Sequence, residues 1–230
     1  PVATSSAQLY KKLTANTDLR VVYMASSSPV VAGVVDSLKR PGGNVTGVTD
    51  ALPVTGEIDA MKQVMPDMKR VAVIWKNGDP NGDAVAQQAV EHLKKLGMDP
   101  RRVTITNLSE LTQATQSVIG KVDAINLPGD VNVLGGIAAV MKVANEADVP
   151  VFGSGGDAVK AGAVLGGTYD YEQVGDITGD LVLKVLRGAD PATTPVVMVP
   201  LDGYAVNDAA LKKFGLEVPP ELSDKVTDHF

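Results

Sequence analysis

"RVAVIWKNGDPNGDAVAQQAVEHLKKLGMDPRRVTITN" (70–107) decides the fold. It opens on an unbroken β-branched run, a strand over 70–75, and passes through the polar loop Lys-Asn-Gly-Asp-Pro-Asn-Gly-Asp. A helix follows over 83–96, with Val85, Ala89, Leu93 and Leu96 as its apolar stripe. Gly97 sits where a helix stops in a left-handed conformation, and a second strand runs over 102–107. Strand, crossover helix and strand make a βαβ unit, whose two strands are parallel. Strands without polar alternation are covered on both faces.

The same rhythm continues outward. Upstream it predicts a strand over 19–24, a helix over 29–40, a strand over 44–48 and a helix over 56–64. Downstream it predicts helices over 110–119, 133–147, 171–186 and 208–214, with strands over 122–127, 149–152, 163–167 and 196–200. Such alternation is the mark of an α/β fold with parallel sheets between helices. Ser28 before Pro29, Ser5 with Gln8, and Asp170 with Gln173 have the spacing of helix starts. Breaks at 39–44, 49–56 and 188–196 divide the chain into a partial first lobe and crossing (1–54), a second α/β lobe (55–195) and a return crossing with a C-terminal segment (196–230). The first lobe has two clear strands where an independent sheet has about 4–6, so part of it is expected upstream of Pro1.

Composition narrows the function. Of 230 residues, 44% are hydrophobic and 21% charged, with a net charge of −6 and no basic stripe, which argues against nucleic acid and anionic membrane surfaces as partners. The absence of cysteine excludes disulfides, thiol catalysis and thiolate metal sites. No apolar run approaches the ~18 residues that span a bilayer. The chain opens on "PVATSSAQLY", with no signal peptide in view.

Ligands of open α/β sheets bind beyond the carboxyl ends of the strands. There the sequence places "ASSSP" (25–29), "KNGDPNGD" (76–83), "PGDVN" (128–132) and "GSGGD" (153–157), while most Lys and Arg lie before the strands. Helix starts in these loops attract a carboxylate or phosphate. Asp79, Asp130, Asp157 and Asp170 suit a cationic group, so together the loops suit a small zwitterion. Each of these residues taken singly also fits a plain helix cap. Trp75 fits either stacking on a ligand or covering the sheet edge.

Other motifs lead elsewhere and fail. Gly153, Gly155 and Ala158 spell the dinucleotide fingerprint, but about one helical turn follows before the next strand, too little for a crossover. The loop 79–83 resembles a calcium loop, yet Ala84 and Val90 stand where Gly and Glu are needed. His92 and His229 have no metal-ligand or nucleophile partner at useful spacing and read as solvated. Asn44-Val45-Thr46 is a glycosylation sequon by spelling only. No cofactor or metal site emerges.

Several stretches resemble the substrate-binding proteins of ABC transporters, in particular the family with tryptophan- and tyrosine-binding members. They are "SSPVVAGVVDSLKRPGGNVTGVTD", "GKVDAINLPGD", "VANEADVPVFGSGGDAVKAGAV", "YDYEQVGDITGDLVLKVLRGADPATTPV" and "LKKFGLEVPPEL". The resemblance implies a type I periplasmic-binding fold, in which two Rossmann-like lobes joined by a hinge close on a small polar metabolite, such as an aromatic amino acid. It implies an extracytoplasmic or lipid-anchored protein that hands its ligand to a permease and performs no reaction. By the same resemblance, Thr4, Ser5 and Ser6 match a helix start that receives a ligand carboxylate. Ser27 and Ser28 match a Thr-Asp pair, and the Asp is missing here. Asn77, Asp79 and Asp130 fall in ligand loops; Ser154, Gly155, Gly156 and Asp157 replace a more acidic stretch; and Asp170 matches an Asp before Tyr171. A repressor-like sensor core shares this fold, and an α/β enzyme is a further alternative.

Overall fold

The computed structural model describes residues 1–50, 54–78 and 80–230. The chain divides into two compact units, Pro1–Ala51 with Tyr169–Leu201, and Leu52–Thr168 with Asp202–Phe230.

The first unit carries α1 (Thr4–Thr14), β1 (Val21–Tyr23), β2 (Val45–Thr49), α8 (Tyr171–Leu186) and β8 (Val197–Met198). Its sheet runs β1-β2-β8, all parallel, with Val21 opposite Val45 and Val48 opposite Val197. Ala7, Tyr23, Val34, Val35 and Val45 form one apolar cluster, and Val48, Val174, Leu181 and Val199 another. The helix 171–186 therefore packs in this unit, not in the lobe where the sequence rhythm placed it.

Residues 29–33 form turns and 34–40 bends and irregular chain, not the expected helix. Gly33 adopts a left-handed φ of 66°, and the Val34 amide reaches back to Pro29 O at 2.8 Å. Paired β-branched valines on both sides of that glycine give helix little support. Conversely, α1 extends over eleven residues where the sequence marked only a helix start near Thr4–Ser6. Its N-cap is Ala3, and Gln8 donates to Ala32 O at 2.7 Å, so the Ser5–Gln8 capping box does not form.

The second unit carries α2 (Val54–Val64), β3 (Arg70–Lys76), α3 (Pro80–Lys95), β4 (Asp99–Ile105), α4 (Leu111–Gln116), β5 (Ala124–Leu127), α5 (Val131–Gly135), α6 (Ile137–Glu146), β6 (Val151–Gly153), α7 (Gly156–Lys160), β7 (Leu165–Thr168), β9 (Gly203–Val206), α9 (Asp208–Phe214), α10 (Pro220–Ser223) and β10 (Val226–His229). Its main sheet, β4-β3-β5-β6, is parallel throughout and buries Ala72, Ile74, Ile125, Leu127 and Val151. β4 begins at Asp99, earlier than expected, and pairs with β3 over its whole length. Pro100 is tolerated because β4 is an edge strand. The buried stripe of α3 is Ala86, Ala89, Val90 and Leu93, whereas Leu96 lies past the helix end and is exposed. The expected helix 133–147 is interrupted at Gly136.

A second sheet, β10-β9-β7, pairs β7 antiparallel with β9. The five-residue α7 thus leads out of the main sheet, as its shortness demands, and no dinucleotide crossover forms. Gly166 in β7 admits no side chain, because a Cβ there would stand 2.1 Å from Gly153 O.

Candidate functional site

In the first unit, the carboxyl end of the sheet meets the start of α1. The Ala3 amide donates to Met24 O at 2.9 Å, and Thr4 Oγ1 lies 2.9 Å from the buried Ser26 Oγ. Ala3 and Ala25 both hold positive φ, 67° and 56°. Ala3, the N-cap of α1, makes no side-chain capping bond. Ser5 is exposed, while Ser6 donates its hydroxyl to Val2 O and Ala3 O within its own turn. Ser28 O accepts from Ala32 N at 3.0 Å and opens the turn that replaces the expected helix.

Asp50 stands at the carboxyl end of β2, a position that sequence reasoning passed over. Burial raises its carboxyl pKa, while hydrogen bonding from its own backbone and from the Ser27 and Tyr171 side chains opposes the shift. Its Oδ1 is buried and has no hydrogen-bond partner. Asp170 is the N-cap of α8, accepting from the Glu172 and Gln173 amides at 2.9 and 3.3 Å. Thr4, Ser5, Ser6, Ser27, Ser28 and Asp170 thus lie on the elements that end at this edge, with Asp50 between them.

In the second unit the carboxyl end of the main sheet is tied together from within. Asp130 is 3% exposed, and both its oxygens are used. Oδ2 accepts from Lys76 N at 2.6 Å, and Oδ1 accepts from Asn132 N and Nδ2 at 2.9 and 3.1 Å. It is the N-cap of α5 and bridges the ends of β3 and β5. Trp75 is 5% exposed; its indole N–H donates to Asp83 at 2.7 Å, and the Arg102 guanidinium lies 5.7 Å from its ring centroid. Asp83 also accepts from Gly78 N at 3.1 Å. Asn77 is exposed, with its amide on Ile105 O at 2.9 Å. Asp79 lies outside the described residues.

Ser154 is buried and donates to Glu57 Oε2 at 2.5 Å; Gly167 N donates to Glu57 Oε1 at 2.8 Å. Glu57, 5% exposed within α2, is a second residue that sequence reasoning missed. Burial drives its pKa up, against the pull of those two donors. Gly155, at φ 90°, is the N-cap of α7, and Gly156 opens that helix. Asp157 is wholly solvent-facing, with Lys160 at 3.8 Å. Two surface details also differ from expectation. His92 is not merely solvated but lies 2.7 Å from Asp59, and His229 lies 2.9 Å from Asp208. The Asn44 amide nitrogen is occupied by Thr14 and Leu19.

Both edges offer polar backbone and hydroxyl groups at helix starts, an arrangement suited to holding a ligand. Comparison with known proteins decides the assignment: the family model described as "ABC transporter substrate binding protein" matches residues 1–230. The chain belongs to that family. A tyrosine-binding protein of Clostridioides difficile is 31% identical over 216 residues, which cover 94% of this chain; the chain spans 62% of that relative's length. An ABC domain in complex with L-Trp from Streptococcus pneumonia superposes with a TM-score of 0.88 at 26% identity, covering 100% of this chain and 79% of the other. The ligand-free, open structure of a substrate-binding protein with adhesive properties from Clostridium difficile gives a TM-score of 0.80 at 30% identity, covering 99% and 76%. These likenesses give the substrate-binding protein the type I periplasmic-binding fold. Among its described residues, no helix is long and apolar enough to cross a membrane.

Proposed function

We propose that this substrate-binding protein is the extracytoplasmic solute receptor of an importer, that its ligand is a small carboxylate-bearing metabolite of the amino-acid class, and that it passes the ligand to a permease unaltered. The start of α1 carries the reading. An eleven-residue helix begins at an Ala3 that offers no side-chain acceptor, so its first amides are left to a ligand anion beside the Thr4 and Ser5 hydroxyls. The polar loops of the second unit, around Asn77 and from Ser154 to Asp157, carry the other residues proposed for ligand contact. The tyrosine-binding relative and the L-Trp-bound neighbour support an aromatic amino acid.

A thermal-shift panel of the common amino acids and simple carboxylates tests this. A ligand at a hundredfold excess over its Kd stabilises the folded state by about 2.7 kcal/mol. For a chain of this size that raises Tm by about 5–10 °C. A panel in which sugars or nucleosides shift Tm and no carboxylate does would overturn the proposal. Delivery is tested by uptake of the stabilising solute in cells with and without the gene.

A further inference from the structure

The contacts Asp50 makes with Ser27 and Tyr171 leave one of its carboxylate oxygens unused. Among the described residues, it caps no helix, no Lys, Arg or His pairs with it, and its Oδ1 is buried without a partner. A buried carboxylate oxygen in that state is costly unless a donor arrives from elsewhere. The ending of β2 brings Asp50 to the same edge as the α1 start. Ser26 N bonds Val48 O at 3.3 Å, Ser26 Oγ contacts Thr4, and the neighbouring Ser27 hydroxyl is a partner of Asp50. The helix start that offers amides for an anion is thus linked, through Thr4, Ser26 and Ser27, to a carboxylate with one oxygen that lacks a donor, all within one unit.

We infer that Asp50 is the residue that reads the ligand's ammonium group, so that the site selects α-amino acids over the corresponding plain carboxylic acids. The inference rests on the carboxylate-binding reading given above and sharpens it. Ser27 and Tyr171 orient the Asp50 carboxylate; the ligand's N–H donors complete it.

The test is calorimetric titration of the whole chain and of Asp50→Asn with four probes: L-tyrosine, L-tryptophan, and their desamino counterparts 3-(4-hydroxyphenyl)propionate and 3-indolepropionate. The native chain is expected to favour an amino acid over its desamino counterpart by roughly 10- to 100-fold, the scale of a hydrogen-bonded charge contact. In Asp50→Asn the preference is expected to shrink to about threefold or less, through loss of the amino acid and not gain of the acid. An Asp50→Asn chain that keeps the full preference overturns the assignment. So does a native chain that binds acid and amino acid alike, a result that leaves the carboxylate-binding reading standing and needs no variant to fold. A native chain that binds none of the four probes overturns both.

Discussion

Replacing Asp130 by Ala separates the two tasks an Asp at a strand end can perform. Sequence reasoning offered it as a ligand contact, whereas the structure spends both oxygens internally, on Lys76 N and on Asn132. The lost cap on α5 is worth about 1 kcal/mol. The lost charge-assisted bond at 2.6 Å to Lys76 N adds about 1.5–3 kcal/mol, at the upper end because Asp130 is 3% exposed and water does not replace it. The sum, about 2.5–4 kcal/mol, falls on the second unit. At roughly 2–4 °C per kcal/mol it lowers Tm by about 5–15 °C. Urea unfolding at neutral pH, followed by far-UV circular dichroism, checks this, with ligand affinity measured well below the variant's Tm. The account expects a large fall in midpoint and an affinity within about threefold of the native chain. A variant with unchanged midpoint and abolished binding would refute the reasoning and return Asp130 to the ligand.

Three other outcomes are expected. Asp123 is held down to about 2 mainly by the Arg70 side chain at 2.6 Å, so its contribution is complete above the ordinary carboxylate range and is lost as pH falls through about 2. Asp123→Asn should cost about 1–2 kcal/mol at pH 7, less than the full shift implies because Arg70 is half exposed, and the deficit should vanish near pH 2 in acid melts. Glu57 has the opposite sign: with its folded pKa raised, its ionisation works against folding as pH climbs through that value. Glu57→Gln, which does not titrate, should therefore gain stability relative to the native chain as pH is raised from 4 to 8, as read by denaturant midpoints. Asp157→Ala removes a fully exposed side chain, so Tm should stay within about 1–2 °C while ligand affinity falls; equal affinity by calorimetry would take Asp157 out of the site.

Much of the architecture was legible because burial on both faces leaves a continuous apolar strand, as in β3, β5 and β6, and because Gly97 ends the helix before it in a left-handed conformation. The start of α1 was marked but its extent was not, because it buries only Ala7 and Thr14 while Leu9, Tyr10 and Leu13 face outward, so no inward apolar stripe declares it. The turns and bends over 29–40 passed for a helix because Val30, Val31, Val34 and Val35 repeat at helical spacing, and only the left-handed Gly33 undoes that spacing. β9 and β10 are short strands completed by distant pairing, which local pattern does not carry. At the site, position at strand ends was readable but occupancy was not. Asp130 and Asp50 are the same residue type after a strand. One is consumed by backbone amides and the other left with an orphan oxygen, a difference made by tertiary neighbours. Glu57 sits in "GEIDAM" like any surface helix charge, and only its enclosure beneath Ser154 and Gly167 gives it away.

The central claim is capture of an amino acid without chemistry. Titrating the chain with L-tyrosine and L-tryptophan in a calorimeter, then releasing the bound solute and weighing it by mass spectrometry, tests it most directly. The account predicts one saturable site per chain for at least one of the two and full recovery of the solute at its starting mass. Recovery of a product of different mass, or saturation only by a compound lacking a carboxylate, would contradict it.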